Sequence, residues 1–416
     1  MTYASRLIDR QIEEALETLG AVVIEGPRGC GKTSTALQYS KSAVHFDTDI
    51  NSRELAALTP EVILDGDSPR LLDEWQLVPH LWNHVRQTVD TRQKRGQFIL
   101  TGSAMAEPDA TRHPGVMRFF RLRMRPMSLF ESGASDGTVS LRCLLQEGFA
   151  KAAMASHTFE DTIQWLCVGG WPVLREVPIK RALTVNRGYL SDLTDADFSA
   201  VHQVKNRDRV LRLVKSLARH VGTEASLTRI ASDVSGGDGE VVRPETISAY
   251  IDALERLIVI ERVRPWSGHL RSRAVLRKSE KRYFVDPSLG VAALNGSRER
   301  LLSDLKTTGF LFENLVIRDL LVYSDSLDAS LSHYRDSDSR EVDVIVSAPG
   351  GQHLAIEIKL GNVSVEQAAK NLLRFRDNLA DPEERNSMHL AVITSGTASY
   401  QRKDGVNVVS IAHLGP

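Results

Sequence analysis

The chain reads Gly26-Pro27-Arg28-Gly29-Cys30-Gly31-Lys32-Thr33 between an apolar run, Ala21–Ile24, and a run compatible with a helix that begins at Ser34. A glycine, four residues and then Gly-Lys-Thr form the phosphate-binding loop pattern, whose usual context is a strand before the loop and a helix after it. Both flanking runs satisfy that context. The stretch therefore predicts an α/β fold with a P-loop NTPase core, in which helices flank a parallel sheet.

The chemistry of phosphate binding explains the residue types in this loop. Gly26 and Gly31 permit backbone angles and close approaches that a Cβ would prevent, so successive N–H groups can point at phosphate oxygens. The positive end of the following helix faces the same oxygens. We expect Lys32 to reach the β and γ phosphates of ATP and the Thr33 hydroxyl to bind Mg²⁺. The predicted nucleotide-binding residues are thus the loop itself and Ser34.

Two adjacent carboxylates end a later apolar strand, in the run Leu71-Leu72-Asp73-Glu74. Nucleotide hydrolysis needs one acid to hold the Mg²⁺ shell and another to orient the attacking water. Acidic strand ends are common, but this pair lies about 40 residues after the phosphate loop. We therefore assign Asp73 to the metal and Glu74 to the water.

Further candidates for contact with the γ phosphate follow along the chain. Residues 98–103 predict a fourth strand, and parallel sheets place ligands at the carboxyl ends of their strands, where Thr101 and Ser103 lie. A strand that simply stops there explains each of these two residues equally well. Arg118 begins the next strand and is a candidate catalytic residue that neutralises phosphate charge, in its own subunit or across a subunit interface.

The composition limits the classes of protein that the chain can represent. A length of 416 residues predicts two to four domains, and 52 basic against 53 acidic side chains mean that any basic surface is local. Cys30, Cys143 and Cys167 have no ligand-like spacing, so we expect free thiols in a reducing compartment. The N-terminus does not resemble a signal peptide, and no apolar run approaches the roughly 18 residues that span a bilayer. We expect a soluble, cytoplasmic protein without a membrane partner.

The middle of the chain predicts helix, helix, turn, helix and strand, the order of a winged helix, in which the third helix faces DNA. The elements are Val210–Ala218, Ser226–Val234, Glu245–Leu257 and Val259–Val263. Three acids lie on the outward face of the third helix, and the basic residues follow it. They are Arg262, Arg264, Arg271, Arg273, Arg277, Lys278, Lys281 and Arg282. A basic wing that grips nucleic-acid phosphates and a module that docks a protein are equally good interpretations.

Near the C-terminus, residues 341–346 and 353–359 both alternate in polarity, which predicts a hairpin. A loop near Gly350 pairs Val342 with Ile358, Val344 with Ile356 and Val346 with Leu354 on an aliphatic face, and on the other face Asp343 with Glu357 and Glu341 with Lys359. Facing carboxylates repel unless a cation lies between them. We therefore predict a divalent-metal site at Asp343 and Glu357, with Lys359 close enough to activate water or stabilise charge. The alternatives are surface ion pairs on an ordinary hairpin, or a decayed nuclease.

Nine stretches together resemble a large family of predicted bacterial and archaeal AAA+ ATPases with a C-terminal domain of unknown function. They are Gly26–Thr33, Leu71–Pro79, Phe98–Ala104, Arg121–Glu131, Gly169–Leu174, Tyr283–Gly290, Gly309–Leu320, Glu341–Val346 and Ile356–Gly361. The resemblance implies a nucleotide-binding domain, a helical and winged-helix middle, and an α/β end similar to restriction-endonuclease-like nucleases. It also implies that Glu313 is the accessory metal-binding acid of such folds. The chain departs from the family pattern at Met117, where glycine is usual, and at Trp75, where an aliphatic residue is usual.

We predict four regions: an ATPase domain at 1–131, a helical connection at 132–200, a winged-helix-like domain at 201–295 and a nuclease-like domain at 296–416. The leading functional hypothesis is ATP hydrolysis, with ATP and Mg²⁺ as cofactors, coupled to a transaction on DNA or RNA. One alternative is a nucleotide-dependent switch that scaffolds protein partners around an inactive nuclease-like domain. The other is an ATP-gated DNA-binding regulator. The hypothesis that Arg118 acts across an interface adds a homo-oligomer to the expected partners.

Overall fold

The structure is a computed structural model that describes residues 3–104, 114–146, 148, 152–194, 207–235, 241–266, 279–336 and 340–416. The chain forms two compact units, one of Met1–Pro126 with Glu255–Ile258 and one of Met127–Leu254 with Val259–Pro416. The predicted basic residues Arg271, Arg273, Arg277 and Lys278 lie outside the described residues. No helix in the described ranges is both long and apolar enough to cross a membrane. The three cysteines are free thiols, as predicted.

The first unit is built on one parallel sheet. Its helices and strands are α1 (Ile8–Thr18), β1 (Ala21–Glu25), α2 (Lys32–Tyr39), β2 (Ser42–His45), α3 (Ile50–Leu58), α4 (Pro60–Leu64), β3 (Arg70–Asp73), α5 (Leu81–Arg92), β4 (Phe98–Gly102) and β5 (Phe119–Arg123). The strand order is β2-β3-β4-β1-β5, and each neighbouring pair is parallel. Strands β1 and β4 are buried along their whole length because apolar clusters cover both faces of the sheet. The predicted α/β fold with a parallel sheet is confirmed for this unit.

The second unit combines helices with a large mixed sheet. Its described elements are α6 (Leu129–Ser132), β6 (Val139–Ser140), α7 (Leu141–Gln146), β7 (Ala153–Met154), α8 (Phe159–Val168), α9 (Ile179–Asp192), α10 (Arg207–Arg219), α11 (Leu227–Val234), α12 (Pro244–Arg256), β8 (Ile260–Pro265), β9 (Lys281–Phe284), α13 (Pro287–Ala293), α14 (Arg298–Ser303), α15 (Leu305–Asp325), β10 (Ser330–Arg335), β11 (Glu341–Ser347), β12 (His353–Lys359), α16 (Val365–Asp377), α17 (Pro382–Asn386), β13 (Met388–Thr394), β14 (Ala398–Gln401), β15 (Asn407–Ser410) and β16 (Leu414–Gly415).

Among the described residues, nine strands of this unit form one sheet in the order β7-β14-β15-β13-β12-β11-β10-β8-β9. Strands β8 and β9 pair as a hairpin, and β8 also pairs with β10. The hairpin of the middle region therefore extends the sheet of the C-terminal region, so these two predicted domains share one sheet. The side chains of Lys281 on β9 and Asp343 on β11 approach each other to 4.0 Å, although β8 and β10 lie between their strands in the sheet.

A buried ion network holds α15 in place. The Arg318 guanidinium donates to Asp286 Oδ2 at 2.9 Å and to Asp319 Oδ1 at 2.6 and 2.8 Å, and all three side chains are fully enclosed. Asp286 also accepts from the backbone N–H of Gly170 at 2.8 Å, and Asp319 accepts from that of Leu129 at 3.2 Å. The guanidinium thus joins α15 to the segment of Asp286, and the two carboxylates join these to the segments of Gly170 and Leu129. Burial raises the pKa of Asp319 to about 6, against the attraction of Arg318.

The same network gives the Gly169–Leu174 stretch a physical role. The backbone N–H of Met127 donates to the Gly170 carbonyl at 2.7 Å, and a Cβ on Gly170 would lie 2.1 Å from the Met127 oxygen. Only glycine permits this approach. The Trp171 indole N–H donates to Ser288 Oγ at 3.0 Å. Four of the stretches that carry the family resemblance therefore meet in one buried cluster.

Candidate functional sites

The phosphate loop lies between the end of β1 and the start of α2, as predicted. Gly31 has a φ of 105°, which only glycine adopts readily. The Lys32 ammonium donates to the carbonyls of Gly26 at 2.9 Å and Pro27 at 3.1 Å. The lysine charge is thus held against the loop that is predicted to bind phosphates. Arg28, Gly29 and Ser34 are exposed, whereas the Cys30 side chain is buried beneath the loop.

Oxygen donors suited to Mg²⁺ meet beside this loop. Thr33 Oγ1 donates to Asp73 Oδ1 at 2.8 Å, across 40 residues of sequence. Thr101 Oγ1 donates to the same oxygen at 2.5 Å and is fully buried. A hydroxyl and a carboxylate are hard ligands of the kind that Mg²⁺ prefers, so the residues present fit this ion. The contact also shows that Thr101 holds the Asp73 carboxylate.

Glu74 begins a tight turn after β3, with a left-handed φ of 54°. Its carboxylate accepts from Ser103 Oγ at 3.0 Å and from the Gln76 amide, which also donates to Ser103 Oγ at 3.1 Å. Its backbone N–H donates to Thr101 Oγ1 at 3.2 Å. Thr101 and Ser103, both predicted as contacts of the γ phosphate, are therefore direct partners of the two acids.

His45 is a neighbour of this site that the sequence did not reveal. It pairs with Asp73 across β2 and β3, and its Nδ1 lies 3.0 Å from Asp73 Oδ2. Within the described ranges, His45, Asp47 and Asp73 form a group whose possible ligand atoms all lie within 4.8 Å of one another. The sequence shows only a histidine at the end of a short strand, and the pairing of β2 with β3 is what places it beside Asp73.

Arg118 lies at the opposite edge of the sheet from the phosphate loop. Phe119 pairs with Ala21 at the start of β1, and Arg123 pairs with Glu25 at its end. The five residues of β5, with a span of about 20 Å between Arg118 and the level of Gly26, therefore separate Arg118 from the loop of its own chain. Its guanidinium contacts Asp90 Oδ1 at 2.9 Å. This position disfavours a role on the nucleotide of the same subunit and leaves the hypothesis of action across an interface.

The two departures from the family pattern are accommodated in different ways. Met117 has a left-handed φ of 65°, the conformation that a glycine adopts without strain. Its side chain is exposed. Trp75 is buried and packs against Trp82, with 4.9 Å between the ring centroids. The first departure therefore costs backbone energy, whereas the second fills the core.

Four carboxylates and two lysines form a cluster in the second unit. They are Glu313 on α15, Glu341 and Asp343 on β11, Glu357 and Lys359 on β12, and Lys281 on β9. The predicted pairs Val344–Ile356 and Val346–Leu354 are confirmed. The side chain of Asp343 accepts from the backbone N–H of Ile358 at 2.8 Å. The C-terminal candidate residues thus lie close together in the structure.

A lysine side chain lies at the predicted divalent-metal site of Asp343 and Glu357. Lys359 Nζ lies 2.5 Å from Glu357 Oε2 and 3.1 Å from Asp343 Oδ2. A lysine ammonium group therefore contacts both carboxylates at the place where the sequence predicted a divalent cation. Glu341, predicted to lie opposite Lys359, places its Oε1 2.7 Å from Lys281 Nζ. Lys281 is buried within this cluster and is not part of an exposed basic wing, since the carboxylates attract it inward.

Burial and charge shift the titration of the whole cluster. Burial raises the pKa of Glu357 to about 8, reinforced by Asp343, and that of Glu313 to about 7, against the attraction of Lys281. Burial alone would raise the pKa of Asp343, but Lys359 and Lys281 hold it below its ordinary value. Burial opposes the charge of both lysines, yet the surrounding carboxylates hold each lysine pKa above its ordinary value. The cluster thus carries its own counter-charges.

Three family matches cover most of the chain. Residues 19–132 match a family described as an AAA domain. This match and the C-terminal match to DUF4143 support an AAA-type ATPase family. Residues 308–414 match a domain of unknown function (DUF4143), and residues 159–300 match another (DUF8612). No curated protein sequence matches the chain.

Solved structures with some similarity to the chain include the following three proteins. They are AMPPCP-bound DnaA from Aquifex aeolicus (17% identity, 61% of this chain and 89% of that chain, TM-score 0.26), a DNA replication initiation factor (15%, 62% and 96%, TM-score 0.22), and a signal transduction ATPase with numerous domains and a tetratricopeptide repeat sensor from Pyrococcus horikoshii (13%, 78% and 52%, TM-score 0.23). TM-scores of this size do not establish a shared overall architecture.

Proposed function

We propose that the protein binds ATP with Mg²⁺ at the phosphate loop and hydrolyses it. The observation that carries the proposal is the 2.8 Å contact between Thr33 Oγ1 and Asp73 Oδ1, with Lys32 and Glu74 at the same edge of the sheet. A hydroxyl and a carboxylate from distant segments meet there as one ligand pair for Mg²⁺. Such a meeting is not required by packing alone.

Each residue of this site has a definite task in the proposal. Lys32 exchanges its loop carbonyls for the β and γ phosphates, while Thr33 and Asp73 hold Mg²⁺, which neutralises the charge that develops on the phosphates. Glu74 orients the attacking water. Ser103 and Gln76 fix its carboxylate, and Thr101 fixes Asp73. Arg118 of a second copy is proposed to supply charge from the other side.

Nucleotide binding is tested with a fluorescent ATP analogue and Mg²⁺. Lys32→Ala should weaken binding at least about tenfold, because a charge-assisted contact to phosphate is lost. Lys41→Ala removes an exposed lysine nearby and is the matched control, expected to bind like the wild type. Equal affinity for all three proteins would refute the site.

We further propose that the C-terminal region is a nuclease-like domain through which ATP hydrolysis acts on DNA or RNA. The order α15, β10, β11, β12, α16 and β13 supports this assignment, as does the meeting of Asp343, Glu357 and Lys359 on adjacent strands. In this proposal Asp343, Glu357 and the accessory Glu313 are metal ligands, and Lys359 activates water or stabilises charge. The three helices α10–α12 with the β8–β9 hairpin are proposed as a winged-helix-like module.

One observation favours the scaffold alternative for this region. Two lysines already contact the carboxylates, so the cluster holds counter-charges of its own without a metal. A nuclease assay on DNA and RNA, with and without ATP and Mn²⁺, separates the alternatives. Cleavage that is lost in Asp343→Asn and Lys359→Ala supports the nuclease. Specific DNA binding without cleavage supports an ATP-gated regulator, and neither cleavage nor binding supports a scaffold for protein partners.

A further inference from the structure

We infer that Lys281 is a fixed internal cation that fills one of two cation positions around Asp343, so that the cluster accepts one divalent ion and not two. The inference concerns the metal site of the proposed function and therefore rests on it. It assigns a role to a residue that lies 62 positions before Asp343 in the sequence.

The Asp343 carboxylate divides the cluster into two halves. Its Oδ2 faces Lys359 at 3.1 Å, and Glu357 completes that half. Its Oδ1 faces Lys281 at 4.0 Å. Each half thus consists of carboxylate oxygens around one ammonium group.

The half that contains Lys281 has the ligand set of a divalent ion. Lys281 Nζ lies 2.7 Å from Glu341 Oε1, 3.6 Å from Glu313 Oε1 and 4.0 Å from Asp343 Oδ1. Three carboxylate oxygens on two elements converge on one point, as they do around Mg²⁺ or Mn²⁺. The ammonium already stands at that point, and a second cation there would meet its charge at close range.

Lys281 cannot easily leave this position. Its side chain is only 2% exposed, and its strand is paired with β8 through Val263. Tyr283, on the same face of β9, donates to Glu313 Oε1 at 2.6 Å. Asn314 then bonds both the N–H and the carbonyl of Phe284, at 3.0 and 2.7 Å. The strand and the helix that frame Lys281 are therefore fixed to each other.

Lys359, unlike Lys281, can move its ammonium group out of the cluster. Its side chain is 28% exposed, and it is the last residue of β12. A lysine stem of four carbons can swing its ammonium group into water from such a position. An entering divalent ion can thus replace Lys359 between Asp343 and Glu357, whereas the Lys281 half stays occupied. The single ion then works beside a permanent positive charge on the other oxygen of Asp343.

The test counts Mn²⁺ bound to the full chain without nucleotide, by electron paramagnetic resonance of the free ion. Lys281→Met keeps a similar length but removes the charge, so the oxygens of Glu313, Glu341 and Asp343 Oδ1 lose the ammonium group between them. It should bind one more Mn²⁺ per chain than the wild type, and adding Glu313→Gln should remove this extra ion. Lys370→Met, at an exposed lysine that contacts Glu366 at 3.3 Å, is the matched control and should gain none. Equal counts in the wild type and Lys281→Met would overturn the inference.

Stability provides a second readout that does not depend on activity. Without metal, Lys281→Met should melt at least about 6 °C below the wild type, because the buried Glu313 and Asp343 lose a neighbouring cation. Mn²⁺ should restore much of that loss, and Lys281→Arg should need no metal. If Lys281→Met does not fold even with Mn²⁺, the number of ions bound by Asp343→Asn is compared with that of the wild type. Asp343→Asn should bind one Mn²⁺ fewer than the wild type, and a loss of two ions would overturn the inference.

The same data separate this inference from the proposed function. If Asp343→Asn binds as many ions as the wild type while Lys281→Met binds one more, the metal site at Asp343 and Glu357 is refuted and the role of Lys281 is supported. If Asp343→Asn binds one ion fewer while Lys281→Met folds and binds no more than the wild type, the metal site is supported and the role of Lys281 is refuted.

Discussion

Replacing Arg318 with leucine should unfold the second unit at a markedly lower temperature. Arg318 is fully enclosed and neutralises Asp286 and Asp319 at 2.9 and 2.6 Å. Its loss leaves two carboxylates buried without their cation, a change that typically costs about 3–5 kcal/mol. In proteins of this size, 1 kcal/mol shifts the melting temperature by about 2–4 °C, so we expect a decrease of about 6–20 °C.

The assay is thermal unfolding of the full chain followed by circular dichroism, with a surface pair as the matched control. Arg298 contacts Glu160 at 2.5 Å, but the two side chains are 38% and 65% exposed. Arg298→Leu should therefore cost less than about 1 kcal/mol. Arg318→Lys keeps the charge but cannot contact both carboxylates as the guanidinium does, so its melting temperature should lie between those of Arg318→Leu and Arg298→Leu. If Arg318→Leu melts as Arg298→Leu does, the buried network does not hold this unit together.

Three further predictions follow from individual residues. Burial raises the pKa of Asp319 from 3.8 to about 6, so the folded state binds the proton more tightly and loses stability as the pH rises between these values. The loss amounts to about 3 kcal/mol, and Asp319→Asn should flatten the pH dependence of urea unfolding; an unchanged slope would contradict the assignment. Met117→Gly should leave the free energy of unfolding unchanged or raise it by up to about 1 kcal/mol, because it relieves a left-handed backbone conformation at an exposed position. A clear decrease in denaturant unfolding would show that the methionine side chain stabilises the fold. Mixing Arg118→Ala with Glu74→Gln protein should restore ATP hydrolysis that neither variant has alone, whereas a wild-type chain that stays monomeric by light scattering and hydrolyses ATP fully would exclude action across an interface.

The sequence predicted the features that depend on neighbouring residues. The phosphate loop and the Asp73–Glu74 pair follow from local patterns, because their spacing is set by one strand and one turn. The pairing of Val344 with Ile356 followed from alternation, since a shift by one residue would turn the aliphatic face of the hairpin to the wrong side.

The features that were missed depend on contacts between distant segments. Lys281 was grouped with the basic residues of a possible wing, because nothing in its own segment shows that β9 joins the sheet that carries Asp343. The contact of His45 with Asp73 required the order of β2 and β3. The role of Gly170 became visible only with its partner Asp286, 116 residues away.

The most direct test of the central claim is the rate of Mg²⁺-dependent phosphate release from ATP by the wild type and by Glu74→Gln. If Asp73 and Thr33 hold Mg²⁺ and Glu74 orients the water, the variant should still bind ATP and should hydrolyse it about 100-fold more slowly or worse. The wild type should turn over ATP and lose this activity in Lys32→Ala. Hydrolysis by Glu74→Gln at the wild-type rate, or a wild type that binds no ATP, would contradict the account.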